Sequence, residues 1–550
     1  MNTINFFVFT FLLGCGFVFP QNQVCEYPSL ASNVSKHIRA RTELVGPASK
    51  IICYEDKFCR SPEVSKFYSN RRFIPAWSDN TGLLPVSEAL VFALKMASQE
   101  GLNASEYHIK SIESIMDSLF IDCLDNVIPD SEKLAELDLL LTDAFFLYTT
   151  HLANGRVKMR TYQTDFIREP VLENLPSLLE EALEKEMILE TIESVKPIDR
   201  GYINLTVAFN RYQEIVRQGG WPVIPPGGAL KRGSRGERVG LLHKRLAITR
   251  DLKEGQDDNT HVFGPAMDEA VRHFQKRYNL VMDGIVGQNT LAELNVPASE
   301  RLLKIKLNME RWRWLPRNLG NRYIRVDIPS FKLNVIENDH SVLNMKVIVG
   351  KLERPTPLVA KTMSYLVINP YWYIPPKIAI EDKLPLIRRD PGYFSRNNIR
   401  VYRGGVQIDP RGINWYGVGK HNFSFSLRQT PGAHNALGRI KFMFPNKHSV
   451  YLHDTPKKHL FRSSVRTFSS GCVRIEKPVS LAEYLLKDQP GWTKEKIQSM
   501  INSSKSRTIK LKSPLPVYLM YWTVWADEDG FPYFGPDIYG LDTLLDREMR

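Results

Sequence analysis

The chain has 550 residues with 43% hydrophobic and 24% charged content, values ordinary for soluble globular protein and a length that allows three or four domains. Its 73 Lys and Arg against 60 Asp and Glu leave a net charge of +13, which suits an anionic environment such as phospholipid, nucleic acid or an acidic wall polymer. No arginine-rich tract or zinc-finger spacing accompanies that charge, so the sequence gives no support to nucleic acid as a partner.

Phe6 to Phe19 forms an apolar run of signal-peptide length, too short for an ordinary membrane span. No Lys or Arg precedes Lys36, no A-x-A cleavage site is visible, and Leu12-Leu-Gly-Cys15 resembles a lipoprotein box. Residues 1–24 therefore read as a signal peptide or short N-terminal anchor, with cleavage, lipidation and retention all left open. Cysteine usage agrees with export. Cys25, Cys53, Cys59 and Cys123 can form two disulfides in any of three pairings, and Cys472 stands more than 300 residues away. An odd thiol in an exported protein points to chemistry at that position.

Residues 25–228 read as a mainly helical scaffold. Leu134 to Thr150 and Ser87 to Gln99 place apolar residues at helical spacing, and Gly101 and Gly155 fall where helices end. The run Gly219-Gly-Trp-Pro-Val-Ile-Pro-Pro-Gly-Gly228 marks a boundary. Over 229–296, Val239 to Leu246, Ala270 to Lys276 and the stretch after Asp283-Gly-Ile-Val-Gly287 predict three short helices with a glycine turn before the last. This pattern resembles the small peptidoglycan-binding module, which implies either glycan binding or a spacer that keeps the fold alone.

From 301 to 545 the texture turns to β. Tyr323–Ile328, Lys332–Ile336 and Met345–Val349 alternate apolar and polar residues, which predicts a β-sandwich-like domain. Helices are expected at Leu481–Leu486 and after Thr493. Within this domain His453 precedes Cys472 by nineteen residues, and Ser469, Ser470 and Gly471 lead directly into the cysteine. A thiol attacks as thiolate and needs a base nearby and a tight, partly open turn. His453 supplies the first and Gly471 the second, with backbone amides around Gly471 and Cys472 as oxyanion donors. Tyr451 lies two residues before His453 and projects to the same face of an extended strand. Arg474 reads as a partner for a substrate carboxylate or as a salt bridge that holds the loop. Ser470 reads as a turn-stiffening hydroxyl at the rim of the site. No CxxC or HExxH spacing supports a metal, and no cofactor is expected.

The segment Tyr451-Leu-His-Asp-Thr-Pro456, with Phe461, Arg466 and Ser469-Ser-Gly-Cys-Val-Arg474, resembles the signature of L,D-transpeptidases with a YkuD-type domain. Asn369-Pro-Tyr-Trp-Tyr-Ile-Pro375, Gln429-Thr-Pro-Gly432, Asn435-Ala-Leu-Gly-Arg-Ile-Lys-Phe442 and Arg71-Arg-Phe-Ile-Pro-Ala-Trp77 look like the large, scaffolded Gram-negative (YcbB-like) branch. The resemblance implies a multidomain α+β protein whose insertion at about 377–426 caps the site. It implies a tetrapeptide donor and a diaminopimelate acceptor from peptidoglycan stem peptides. Cys472 would be the acyl-accepting nucleophile and His453 the general base and acid, forming 3→3 cross-links with release of D-alanine. Tyr451, Arg474, Ser470, Trp372 and Asn435 would contact substrate, and carbapenems would acylate Cys472. It further implies an exported, periplasmic location, with inner-membrane tethering open. The same cysteine also suits carboxypeptidase, endopeptidase or lipoprotein-attachment chemistry; a non-catalytic wall-binding scaffold is the remaining reading.

Overall fold

The computed structural model describes residues 26–43, 52–53, 57–58, 61–124, 127–157, 164–166, 174–253, 255 and 261–550. The expected signal segment at 1–24, Cys25 and Cys59 lie outside the described residues, as do the side chains of Cys53 and Cys123. No helix among the described residues is long and apolar enough to cross a membrane.

The chain divides into two compact units. The first comprises residues up to 98 with 102–149 and 172–194; the second comprises 99–101, 150–171 and 195–550. The first unit is helical, as its periodicity predicts: α1 (Leu30–Glu43), α2 (Ser61–Asn70), α3 (Pro85–Lys95), α4 (Ile109–Leu124), most of α5 (Ser131–Asn154), α6 (Leu175–Glu184) and α7 (Ile188–Ser194). Besides the short pairings β1 (Ile52–Cys53) with β2 (Lys57–Phe58) and β3 (Ser78–Asp79) with β4 (Gly82–Leu83), it is held by buried Asp138. That carboxylate accepts the Tyr68 hydroxyl at 2.6 Å and the Ala76 and Trp77 amides at 2.8 and 3.0 Å, folding the Arg71–Trp77 turn onto α5. A buried carboxylate is tolerated only when its lone pairs are filled in this way.

In the second unit the packing runs across the expected boundary at 228. Helix α8 (Arg200–Arg217) shares one core with the three module helices, α9 (Glu237–Ile248), α10 (Pro265–Arg277) and α11 (Gln288–Leu294), and with α12 (Ala298–Arg313). The glycine- and proline-rich run turns the chain without ending the packing. Arg277 of α10 is fully buried and bonds Asp251 at 2.9 Å, the Tyr212 hydroxyl of α8 at 3.0 Å and the Pro532 carbonyl at 3.0 Å.

The sheet-rich domain expected from the alternation is present, and its strands form one sheet that closes on itself. After β5 (Thr164–Phe166), an edge addition to β9, the strands are β6 (Arg322–Asp327), β7 (Lys332–Glu337), β8 (His340–Gly350), β9 (Leu358–Ile368), β14 (Ile440–Met443), β15 (Leu452–His453), β17 (Val473–Ile475) and β18 (Arg507–Met520). Their hydrogen-bonded order is β14-β15-β17-β8-β7-β6-β18-β9, and β9 pairs with β14 again to complete the ring. Inside lie Val347, Leu366, Phe442, Leu452, Val473 and Ile475, with α16 (Pro478–Leu486) and α17 (Lys494–Asn502) contributing apolar residues to the same core at the predicted places. The α+β class holds.

The expected insertion is a folded body. β10 (Trp372–Ile374), β11 (Ile399–Arg403), β12 (Val406–Ile408) and β13 (Ser426–Gln429) make a separate four-stranded sheet in the order β10-β13-β11-β12. With α13 (Pro376–Ile378), α14 (Leu384–Arg389) and α15 (Tyr393–Arg396) it encloses its own core around Phe394, Val401, Trp415 and Leu427.

Candidate active site

Strand alternation brings the predicted residues together. Leu452 pairs with Val473, and His453 with Arg474, in parallel register. Leu452 and Val473 point into the core, so Tyr451, His453, Cys472 and Arg474 project from the opposite face of β15 and β17. On the other flank Lys441 pairs with His453 across β14 and β15 and joins the same face. All five line a cleft of about 920 Å³ bounded on its far side by the cap, including Trp372, Lys383 and Tyr393.

Gly471 takes φ +110°, a conformation costly for any residue with a Cβ, and this lets the chain reverse between β16 (Thr467–Ser469) and β17. Its amide donates to Ser469 Oγ at 3.2 Å, and the Ser469 hydroxyl donates to the Cys472 carbonyl at 2.5 Å. The turn expected at Gly471 is present, but its N–H is engaged within the loop and is not offered to the cleft. The Gly471 carbonyl accepts from buried Thr356 Oγ1 at 2.8 Å, and that same hydroxyl accepts the Gly350 amide at 2.8 Å. Because a trans peptide sets its N–H opposite its C=O, this bond aims the Cys472 N–H away from Thr356. No partner holds that N–H among the described residues.

Burial pushes the Cys472 thiol up, while the Tyr451 backbone and hydroxyl, Lys441 and Arg474 draw it back. The thiol donates to the Ser449 carbonyl at a long 4.0 Å, and no hydrogen bond joins it to His453 in this structure. The His453 ring is buried, and its Nδ1 lies 2.5 Å from the Asp454 carbonyl. A carbonyl only accepts, so Nδ1 carries the proton and Nε2 the lone pair. Burial, aided by the Arg474 and Lys441 charges, lowers the imidazole to about 3, so it is neutral at ordinary pH. The Tyr451 ring packs edge-on to His453 at 5.7 Å, and Lys441 Nζ sits 4.9 Å above it. Neither Lys441 nor Arg474 has a carboxylate partner among the described residues, and Arg474 Nε is buried without any partner. Of the two readings of Arg474, the salt bridge is absent there; its Nη2 instead meets the Phe468 carbonyl at 3.3 Å.

One expectation shifts. Asn435 does not reach the cleft: it is buried, its amide donates to the Pro370 and Thr430 carbonyls at 3.1 and 3.0 Å, and its oxygen accepts the Leu437 amide at 2.9 Å. Ser470 lines the cleft, with its hydroxyl held by Arg354 at 3.0 Å. Sequence reasoning missed Lys441, Thr356 and Arg354. Only the first left a local signal, the polar position between Ile440 and Phe442 in a strand. No group of three or more metal-ligating side chains occurs among the described residues.

Comparison with known proteins follows this geometry. The profile of the YkuD family, described as an L,D-transpeptidase catalytic domain, matches residues 321–497, which hold both site strands and the cap. The chain carries a YkuD L,D-transpeptidase catalytic domain. Ahead of this transpeptidase domain, a "Scaffold domain" profile matches 62–208 and a "Putative peptidoglycan binding domain" profile matches 235–294. A "Putative L,D-transpeptidase" of Haemophilus influenzae is 38% identical over 243 residues, 44% of this chain. The match spans about half (48%) of that relative's length. Among solved structures, an L,D-transpeptidase from Xylanimonas cellulosilytica aligns at 17% identity over 54% of this chain and 98% of its own, with a TM-score of 0.16. An avibactam carbamoyl enzyme termed Ldtfm aligns at 10% identity over 37% of this chain and 51% of its own, with a TM-score of 0.15. Overlays that loose bear no weight on the fold.

Proposed function

We propose that this protein is an exported, periplasmic L,D-transpeptidase that forms 3→3 links between peptidoglycan stem peptides through a thioester on Cys472. The observation that carries the reading is the shared sheet face: thiol, neutral imidazole and two unpaired cations open together into a capped cleft. Neutral His453 takes the Cys472 proton as the sulfur attacks the carbonyl of the donor's third residue. The Cys472 N–H, aimed by Thr356, donates to the developing oxyanion. Collapse of the intermediate breaks the amide bond, and His453 returns the proton to the departing D-alanine amine. A diaminopimelate side-chain amine then attacks the thioester and loses its proton to His453, and the sulfur leaves. Lys441 and Arg474 give the cleft the charge to receive the carboxylates of stem peptides. Tyr451 and Trp372 supply its aromatic walls, and Ser470 its rim. The cap excludes water, which competes with the amine for the thioester.

Incubating purified protein with tetrapeptide muropeptides and resolving the products by mass tests this reading. Dimers lacking one D-alanine are the expected product. Tripeptide monomers alone would assign the same cysteine to hydrolysis, and unchanged muropeptides would remove the wall peptides as substrate.

A further inference from the structure

The loop between β8 and β9 makes contacts that the reaction above does not use. It folds back so tightly at Gly350 that a Cβ there would lie 2.2 Å from the Arg354 carbonyl and 2.7 Å from the Thr356 amide. Tyr539 fastens it from below, its hydroxyl donating to the Gly350 carbonyl at 2.6 Å. From this platform Arg354, with its side chain 9% exposed, reaches two bodies at once. On the cap it forks onto Asp382, at 2.7 Å from Nη1 and 2.8 Å from Nη2, and onto Glu381 at 2.5 Å. On the catalytic turn it donates from Nη1 to Ser470 Oγ at 3.0 Å. Asp382 and Glu381 lie in a π-helical turn, Ala379–Lys383, between α13 and α14, and the next residue, Lys383, faces the Trp372 and Tyr393 rings. π-Turns interrupt the ordinary helical ladder and recur where a helix serves a functional geometry.

We propose that Arg354 is a positioning residue that clamps the cap to the turn bearing Cys472, so that cap placement and the geometry of residues 469–472 change together. A planar guanidinium with five donors suits this task, since it can satisfy a carboxylate bidentately and still reserve an N–H for a hydroxyl. The two bodies lie far apart in sequence: Ser470 is 116 residues from Arg354 and Asp382 is 28. Without the fork the cap is joined to the closed sheet by its two chain connections and by the contacts it makes around the cleft. The inference rests on Cys472 being the nucleophile.

Amide exchange in the full chain tests it, read in two segments, 376–389 of the cap and 468–474 of the turn. Arg354→Gln should quicken exchange at least threefold in both, and Arg354→Lys should recover part of the protection. Asp382→Asn, although confined to the cap, should quicken exchange in 468–474 by a similar factor. The double variant should show no more than Arg354→Gln alone. In parallel, alkylation of Cys472 by iodoacetamide, followed by intact mass across pH, should shift to a higher midpoint in Arg354→Gln and return in Arg354→Lys. If Asp382→Asn loosens the cap while 468–474 keeps its protection, or if the two substitutions add independently, the clamp is refuted. None of these readouts needs a wall substrate. A clamp found in a protein that forms no cross-links would therefore stand while the proposed reaction fell, and the reverse result would do the opposite.

Discussion

Thr356→Val isolates one buried hydroxyl that serves two masters. Its Oγ1 donates to the Gly471 carbonyl and accepts from the Gly350 amide, each at 2.8 Å, in a residue 3% exposed. Valine keeps the shape and leaves both main-chain groups without a partner. An orphaned buried donor or acceptor costs about 1–3 kcal/mol, and the two together should cost about 2–4 kcal/mol, since the loop relaxes in part. Urea unfolding followed by tryptophan fluorescence reads this well, because eight of the nine tryptophans lie in the unit that holds the site and only Trp77 lies in the other. The midpoint should fall with an unchanged slope. Thr356→Ser, which keeps the hydroxyl, should lose about 1 kcal/mol or less. The same bond aims the Cys472 N–H, so Val should also lower kcat about 10- to 100-fold with little change in KM, a smaller loss than outright removal of an oxyanion donor because the N–H is re-aimed and not deleted. A Val variant within about 0.5 kcal/mol of the parent, or a Ser variant as weak as Val, refutes the assignment of those bonds.

Cys472→Ala should leave the unfolding midpoint near that of the parent and abolish every covalent adduct, with carbapenem-treated protein checked by intact mass; an adduct on the Ala variant moves the nucleophile elsewhere. His453 is depressed to about 3 in the fold from an ordinary 6.5, so between those values the unfolded chain binds a proton that the folded one does not. Stability should therefore fall by about 1.4 kcal/mol per pH unit below pH 6.5 from this residue alone, and His453→Gln should flatten that slope in urea titrations from pH 7 to pH 4. Asp327 runs the other way. Burial raises it to about 6 from 3.8, so its contribution is present below about pH 4 and lost as pH rises through 6. Asp327→Asn should gain about 2–3 kcal/mol at pH 8 and nothing at pH 4; an equal gain at both would mean that the charge is not the cause.

What was legible in the sequence was whatever chemistry and period expressed locally. His453 stands in β15 and Cys472 directly before β17, where alternation puts them on one face, and the apolar Leu452 and Val473 beside them fix which face that is. The module helices and α16 followed their periodicity to within a few residues. Asn435 misled because an asparagine in such a motif reads alike whether it meets a ligand or staples nearby main-chain carbonyls. Glycine and proline around 228 report a change of chain direction, but they do not report that α8 packs across that change. Closure of the sheet depended on β9 meeting β14, and the clamp depended on Arg354 meeting Ser470; both are long-range meetings that no window of sequence contains.

The burial of Arg277 bears on how such a protein would work against a wall. This side chain ties the small three-helix module to α8 and to the C-terminal hairpin formed by β19 (Val524–Ala526) and β20 (Pro532–Phe534). A swinging tether would need an exposed, yielding joint, and this joint is buried, with the Arg277–Asp251 ion pair inside it and Tyr278 stacked on Phe534 at 5.0 Å. A glycan strand held by the module would thus meet the cleft at one bearing. Choice among neighbouring stems would then be a matter of surveying, set by a fixed offset between grip and sulfur.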